Sequence, residues 1–278
     1  MKKIVVLICL FTFSSLGINA GEYKAFALPK IKVVPIKDSN SGKQYELYIK
    51  LPENYKTDNN KKYPVIYTTD AMWHIEILSG SAEFIIEDAI LVGISWQKDM
   101  GDKHEFASRY QDYTFLESKA SKYKRGQASK HLTFIREDVF KYVENTYQTD
   151  PEKRTYFGYS LGGAFGTYIL ATQPDTFKNY ILGSPAFGKK SLQHVNGLLS
   201  ILSSKQNELN ANIFISYGEL EKELGEKVEQ LISKLKKSNF PNILLKQEVI
   251  KLSDHGRAFP MTAVRSMYWL EQFIENEK

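Results

Sequence analysis

The pentapeptide Gly158-Tyr159-Ser160-Leu161-Gly162 constrains this chain more than any other stretch. It closes a short β-rich run, Arg154–Tyr159, and opens an apolar, glycine-rich segment with helical spacing, Leu161–Ala171. A serine with glycine two residues to either side, between a strand and a helix, fits a sharp turn that lifts its oxygen off a sheet edge. Side chains two positions before and after would collide with that turn. The helix that follows aims its N-terminus at the serine, and the free N–H groups there favour negative charge. The bare pattern arises by chance too easily to stand alone. The preceding strand, and Gly163 and Gly166 in the following helix, supply the context it needs.

The same alternation runs through the second half of the chain. Strand-like segments at Asn179–Ser184, Asn212–Tyr217 and Ile243–Ile250 alternate with helical ones at Leu161–Ala171, Glu221–Lys237 and Ala258–Ile274. Upstream, Gln44–Leu51, Tyr63–Thr69 and Ala89–Trp96 have strand character, and His131–Tyr147 has helical spacing stopped by Asp150-Pro151. The pattern predicts an α/β protein of the α/β-hydrolase fold, with a mostly parallel central sheet flanked by helices. The 278 residues suffice for one such domain, over residues 21–278. Gln97–Lys130 breaks the rhythm. It is polar, aromatic and irregular, and an insertion of that length is expected over the active site.

A serine hydroxyl is a weak nucleophile until a histidine takes its proton and an acid orients that histidine. Of five histidines, only His255 falls between the last strand and the last helix, after both the serine and an acidic candidate. His74, His104 and His131 precede the serine and suit helix surfaces or loops; His194 comes too early. The acid is expected just after Asn212–Tyr217, where Glu221 is preferred and Glu219 is the alternative. Asp254 adjoins His255, but adjacent side chains diverge. The oxyanion donors are expected from the N–H of Leu161 and from the loop Asp70-Ala71-Met72, with Met72 preferred. Trp96 and Tyr159 are candidate substrate-binding groups. No metal motif, phosphate loop or dinucleotide fingerprint appears, and the expected chemistry needs no cofactor.

Lys2 and Lys3 precede an apolar run, Ile4–Phe13, with Ala20 at the end of the segment. Residues 1–20 therefore match a secretory signal too short to span a bilayer comfortably, and the mature protein is expected in the periplasm or outside the cell, without stable membrane insertion. The single cysteine, Cys9, lies inside that segment, so the mature chain needs no disulfide. A net charge of +5 without a long basic-aromatic run disfavours nucleic acid as a partner. The expected partner is a small-molecule ester; no oligomeric state follows from the sequence.

Several segments together resemble the putative esterase (esterase D-like) family of α/β-hydrolases. Tyr63-Pro-Val-Ile-Tyr-Thr-Thr-Asp70 is similar to the family's strand leading into an Asp-Gly turn. Arg109-Tyr-Gln-Asp-Tyr-Thr114 is similar to its Arg-x-x-Asp-Tyr-Thr segment. Phe134 through Gly163, Ser184-Pro185 and His255-Gly256 complete the likeness. The resemblance implies Ser160, Glu221 or Glu219, and His255 as a triad, with Leu161 and Met72 at the oxyanion. Ala71 replaces the family's usual glycine, and Ala186-Phe187 replaces a Ser-x-Trp-Trp pattern. Within the family the chain is most similar to siderophore esterases, which cleave the ester backbone of tricatecholates. For such an anion Arg109, Lys103 and Lys98 are the expected cationic contacts. Feruloyl or acetyl esters of carbohydrates are the rival substrates, and an inert binding protein on a hydrolase scaffold is the rival of another class.

Overall fold

The computed structural model describes residues 30–57, 60–101, 104–118, 121–204, 209–238, 240 and 242–274. The signal segment expected at residues 1–20 and the expected contact Lys103 lie outside them. Eight strands form one sheet: β1 (Ile31–Lys37), β2 (Gln44–Lys50), β3 (Tyr63–Thr68), β4 (Ile90–Ile94), β5 (Thr149–Tyr159), β6 (Asn179–Gly183), β7 (Asn210–Gly218) and β8 (Asn242–Ile250). Their order is β1-β2-β4-β3-β5-β6-β7-β8. β1 and β2 pair antiparallel, as do β2 and β4; every pairing from β4 to β8 is parallel. The central strands β3, β4 and β6 are buried along their whole length, as a sheet covered on both faces requires.

The helices are α1 (Ala71–Ile85), α2 (Ser108–Asp112), α3 (Ala128–Phe134), α4 (Phe140–Thr146), α5 (Leu161–Thr172), α6 (Lys189–Ser204), α7 (Lys222–Lys237) and α8 (His255–Ile274). On one face α1 packs on α8 over Ile66, Leu91, Phe157, Ile181 and Phe214. On the other, α5, α6 and α7 lie side by side over the larger core. The single helix expected over His131–Tyr147 is two helices, α3 and α4, joined by a π-helical turn at Ile135–Val139. Helix α4 ends before Asp150-Pro151, which falls inside β5. There the pairing with β3 slips between Tyr63 and Val65, and the irregularity accommodates a proline that cannot donate to a ladder. Because β3 and β5 through β8 all run parallel, their C-terminal ends open on one edge. Asp70, Ser160, Ser184, Glu221 and His255 all follow those ends.

Candidate active site

Ser160 sits between β5 and α5 with φ 57° and ψ −118°, a conformation that side-chain-bearing residues rarely adopt. Its neighbours hold it there. The Ser160 N–H donates to the Gly183 carbonyl (2.9 Å), and its own carbonyl accepts from Ala164 N–H (3.1 Å) and Ala186 N–H (2.9 Å). A Cβ at Gly158 would collide with the Gly162 carbonyl, and a Cβ at Gly162 would lie 2.5 Å from Thr69 Oγ1. Both motif glycines are thus required by close approach. Asp70 and Ser184 also have positive φ, so three strained residues crown the neighbouring strands β3, β5 and β6.

The turn after β7 carries Glu221, whose side chain is 5% exposed against 46% for His255. Glu221 Oε1 lies 2.5 Å from His255 Nδ1. Glu221 Oε2 accepts from Gly218 N–H (2.6 Å) and from Ser184 Oγ (2.7 Å). Burial alone would raise the Glu221 pKa. The hydrogen bonds from His255, Ser184 and Gly218 outweigh it and hold the carboxyl below its ordinary range. An ionised Glu221 accepts from Nδ1–H, which leaves Nε2 as the basic nitrogen of a neutral ring. His255 is the first residue of α8 rather than part of a loop. Tyr159 Oη donates to its carbonyl (2.6 Å), which ties it to the residue before Ser160. Of the two candidate acids the structure brings Glu221 to the imidazole. Glu219 turns outward to Lys251 Nζ (3.0 Å) and Leu252 N–H (2.9 Å). Asp254 instead accepts Arg257 N–H (2.9 Å) in the first turn of α8.

The expected oxyanion loop at Asp70-Ala71-Met72 is shorter than the sequence suggests. It ends at Asp70, and Ala71 and Met72 already belong to the first turn of α1. Asp70 takes a left-handed conformation (φ 55°, ψ 41°), and its carbonyl accepts from Trp73 (2.9 Å) and His74 (3.2 Å) N–H. The N–H groups of Ala71 and Met72 precede those bonds and have no acceptor within the helix. The N–H of Leu161 holds the matching place in α5. Close approach of Gly162 to Thr69 and Asp70 brings the two helix N-termini together beside Ser160.

The sequence profile described as putative esterase matches residues 39–277. The chain belongs to the putative esterase family. Its activity is accordingly that of a carboxylic ester hydrolase. The ferri-bacillibactin esterase BesA of Bacillus subtilis is 30% identical over 227 residues, which cover 73% of this chain and 75% of the relative. Two solved structures share the fold. The BES protein of Bacillus cereus superposes with a TM-score of 0.76 at 24% identity, over 90% of this chain and 97% of that one. The siderophore hydrolase EstB of Aspergillus nidulans gives 0.77 at 17% identity, over 92% and 99%.

Around Ser160, the side chains expected to meet substrate also have partners within the protein. Arg109, 8% exposed, donates through Nε to Asp70 Oδ1 (2.9 Å) and through a terminal nitrogen to Asp70 Oδ2 (2.8 Å). Its guanidinium also lies 4.8 Å from the Trp73 ring centre. Trp96 Nε1 donates to the same Asp70 Oδ1 (2.7 Å). Tyr159 is buried behind His255, and Lys98 pairs with Glu105 (2.7 Å). His74 and His131, which the sequence suggests for surfaces or loops, are both buried. Asp70 and Ser184 escape the sequence reading as functional groups. Their only signals are their places at strand ends, in Thr69-Asp70 and Ser184-Pro185. A cleft of about 90 Å³ adjoins Leu161 and Ala186, lined by Tyr113, Phe115, Leu116 and Arg125.

Proposed function

We propose that this esterase is a serine hydrolase working through an acyl-enzyme, and that its substrate is the ester backbone of a tricatecholate siderophore. The observation that carries the mechanism is the 2.5 Å contact of His255 Nδ1 with a buried, ionised Glu221, one bonded residue from the strained Ser160 turn. With Nδ1 held as the donor, His255 Nε2 takes the Ser160 proton as Oγ bonds to the ester carbonyl carbon. The developing oxyanion is met by the N–H groups of Leu161 and Met72. Collapse breaks the carbon–oxygen bond to the leaving alcohol, which receives the proton from His255. A water then loses its proton to His255, attacks the acyl carbon and releases the acid and Ser160.

The substrate reading is supported by relatives described as a ferri-bacillibactin esterase and a siderophore hydrolase. The surface beside the serine agrees with it. Met72, Trp73 and Phe106 are exposed, and Tyr123 and Tyr110 stack on each other at 4.7 Å beneath Lys122 and Arg125. A platform of rings with cations on it suits planar anionic groups. The proposed place of action is the periplasm or beyond, on the signal pattern of residues 1–20. Among the described residues no helix is long and apolar enough to cross a membrane.

The test is product analysis by mass spectrometry with ferric and iron-free tricatecholate trilactones, using Ser160→Ala as control and a nitrophenyl ester as activity standard. Ring opening by wild type alone supports the whole reading. Nitrophenyl hydrolysis without ring opening discards the siderophore and turns the search to feruloyl and acetyl esters. No reaction with either, and no labelling by a phosphonate, makes the chain an inert scaffold.

A further inference from the structure

An aspartate at the start of a helix ordinarily turns its carboxylate onto the second or third N–H of that helix. Asp70 occupies this position before α1 and makes no such bond. Its carboxylate, fully buried, turns away from α1 instead, accepting two bonds from Arg109 in the insertion and one from Trp96 just before it. The Asp70 N–H is held as well, by Tyr113 Oη at 3.3 Å. All three partners come from outside α1, and Arg109 is 39 residues away in sequence.

We infer that Arg109 is a positioning residue for ester hydrolysis: it draws the Asp70 carboxylate off the N-terminus of α1 and neutralises it, so that the first-turn N–H groups stay free for the oxyanion. This rests on the proposed serine mechanism. Two physical consequences of losing Arg109 point the same way. A released carboxylate would compete for the Met72 N–H, the bond an aspartate makes by default at a helix start. It would also place a negative charge against the site where a second one must develop, and in a water-poor pocket such repulsion is large. Arg109 acts through Asp70 and need not touch the substrate. The Asp70 backbone, in a conformation that stores strain, is held by the same contacts.

The test is steady-state kinetics on a nitrophenyl ester with Arg109→Gln, Asp70→Asn, the double variant and Trp96→Phe, each checked for folding by circular dichroism. Arg109→Gln is expected to lower kcat about 100-fold, the scale of one lost oxyanion donor, with KM changed less than about 2-fold. Asp70→Asn removes the interfering charge and is expected to lose only about 10-fold. The double variant, with two neutral amides, is expected to recover at least about 5-fold over Arg109→Gln. A double variant no faster than Arg109→Gln would overturn the inference. So would a large rise in KM at unchanged kcat, since that marks a direct substrate contact. If Arg109→Gln does not fold, Asp70→Asn decides, since a loss of about 100-fold or more in kcat with the carboxylate charge gone would overturn the inference. Trp96→Phe, which keeps the ion pair, is expected to lose less than about 10-fold. Failure of the underlying serine mechanism would show elsewhere, in wild type and Ser160→Ala hydrolysing the ester equally.

Discussion

Tyr113 stands between two buried ionisable groups that the fold treats in opposite ways. On one side its hydroxyl meets the backbone of Asp70, whose carboxylate is sealed from water and bonded by Arg109 and Trp96. On the other its ring lies 5.5 Å from that of His131, where neither ring nitrogen has a hydrogen-bond partner among the described residues. Tyr45, Phe134 and Phe165 complete the cage around that imidazole. The first group has both of its oxygens answered by hydrogen bonds. The second stays neutral because burial pushes its pKa down, against a partial upward pull from Asp112. At the head of α1 the fold pairs a buried carboxylate with a cation; a few ångströms away it excludes charge to fill a core.

The contrast sharpens most at Glu221, a second buried carboxylate with all its partners supplied. Glu221→Gln is expected to reduce kcat about 1,000-fold or more by unsettling the His255 tautomer, whereas Glu219→Gln should change it less than about 2-fold. Equal effects in a nitrophenyl ester assay would erase the distinction between the two glutamates. The next effect is on stability. Arg109→Met leaves the Asp70 carboxylate buried without its cation and is expected to cost about 3–5 kcal/mol in urea unfolding. A loss below about 1 kcal/mol would show that the carboxylate finds water or a proton without difficulty.

A third expectation concerns acid. His131 and His74 are both buried with lowered pKa values, through desolvation in each case. Asp112, Lys43, Asp38 and Asp70 face His131; Asp70, Arg109 and the Thr69 carbonyl face His74. In the unfolded chain each imidazole takes up a proton below about pH 6.5, while the folded one resists it. Stability should therefore be complete above that pH and fall below it, by up to about 1.4 kcal/mol per pH unit for each histidine. Thermal melts between pH 5 and 8 read this directly, and a flat profile would refute it. The smallest effect is His131→Phe. A ring replaces a ring with no buried nitrogen left unanswered, so the change at pH 8 is expected within about 1.5 kcal/mol, with a shallower acid slope. A larger destabilisation would reveal a partner for the imidazole.

These contrasts also separate what the sequence shows from what it hides. Ser160 is legible because glycine spacing and the strand-to-helix switch are local. His255 and Glu221 are legible as places in an order of elements, although two glutamates so near each other could be distinguished only by the direction of the β7 turn. The start of α1 is hidden, because Asp70-Ala71-Met72-Trp73 shows no capping partner in its own sequence; the partner is Arg109. The edge strand β1, with Pro35 and mixed burial, carries little apolar periodicity. His131 looks like a surface residue because histidine is polar, and rings from β2, α3 and α5, with Tyr113 just after α2, surround it.

The insertion that carries Arg109 also carries the ring platform beside the serine. Selection for a new substrate in this segment therefore acts on turnover at the same time. A library that randomises all of residues 97–130 would be dominated by slow enzymes whatever they bind. One that keeps Arg109 and Tyr113 fixed and varies the exposed positions around Phe106 and Tyr123 would let recognition evolve while the rate is preserved.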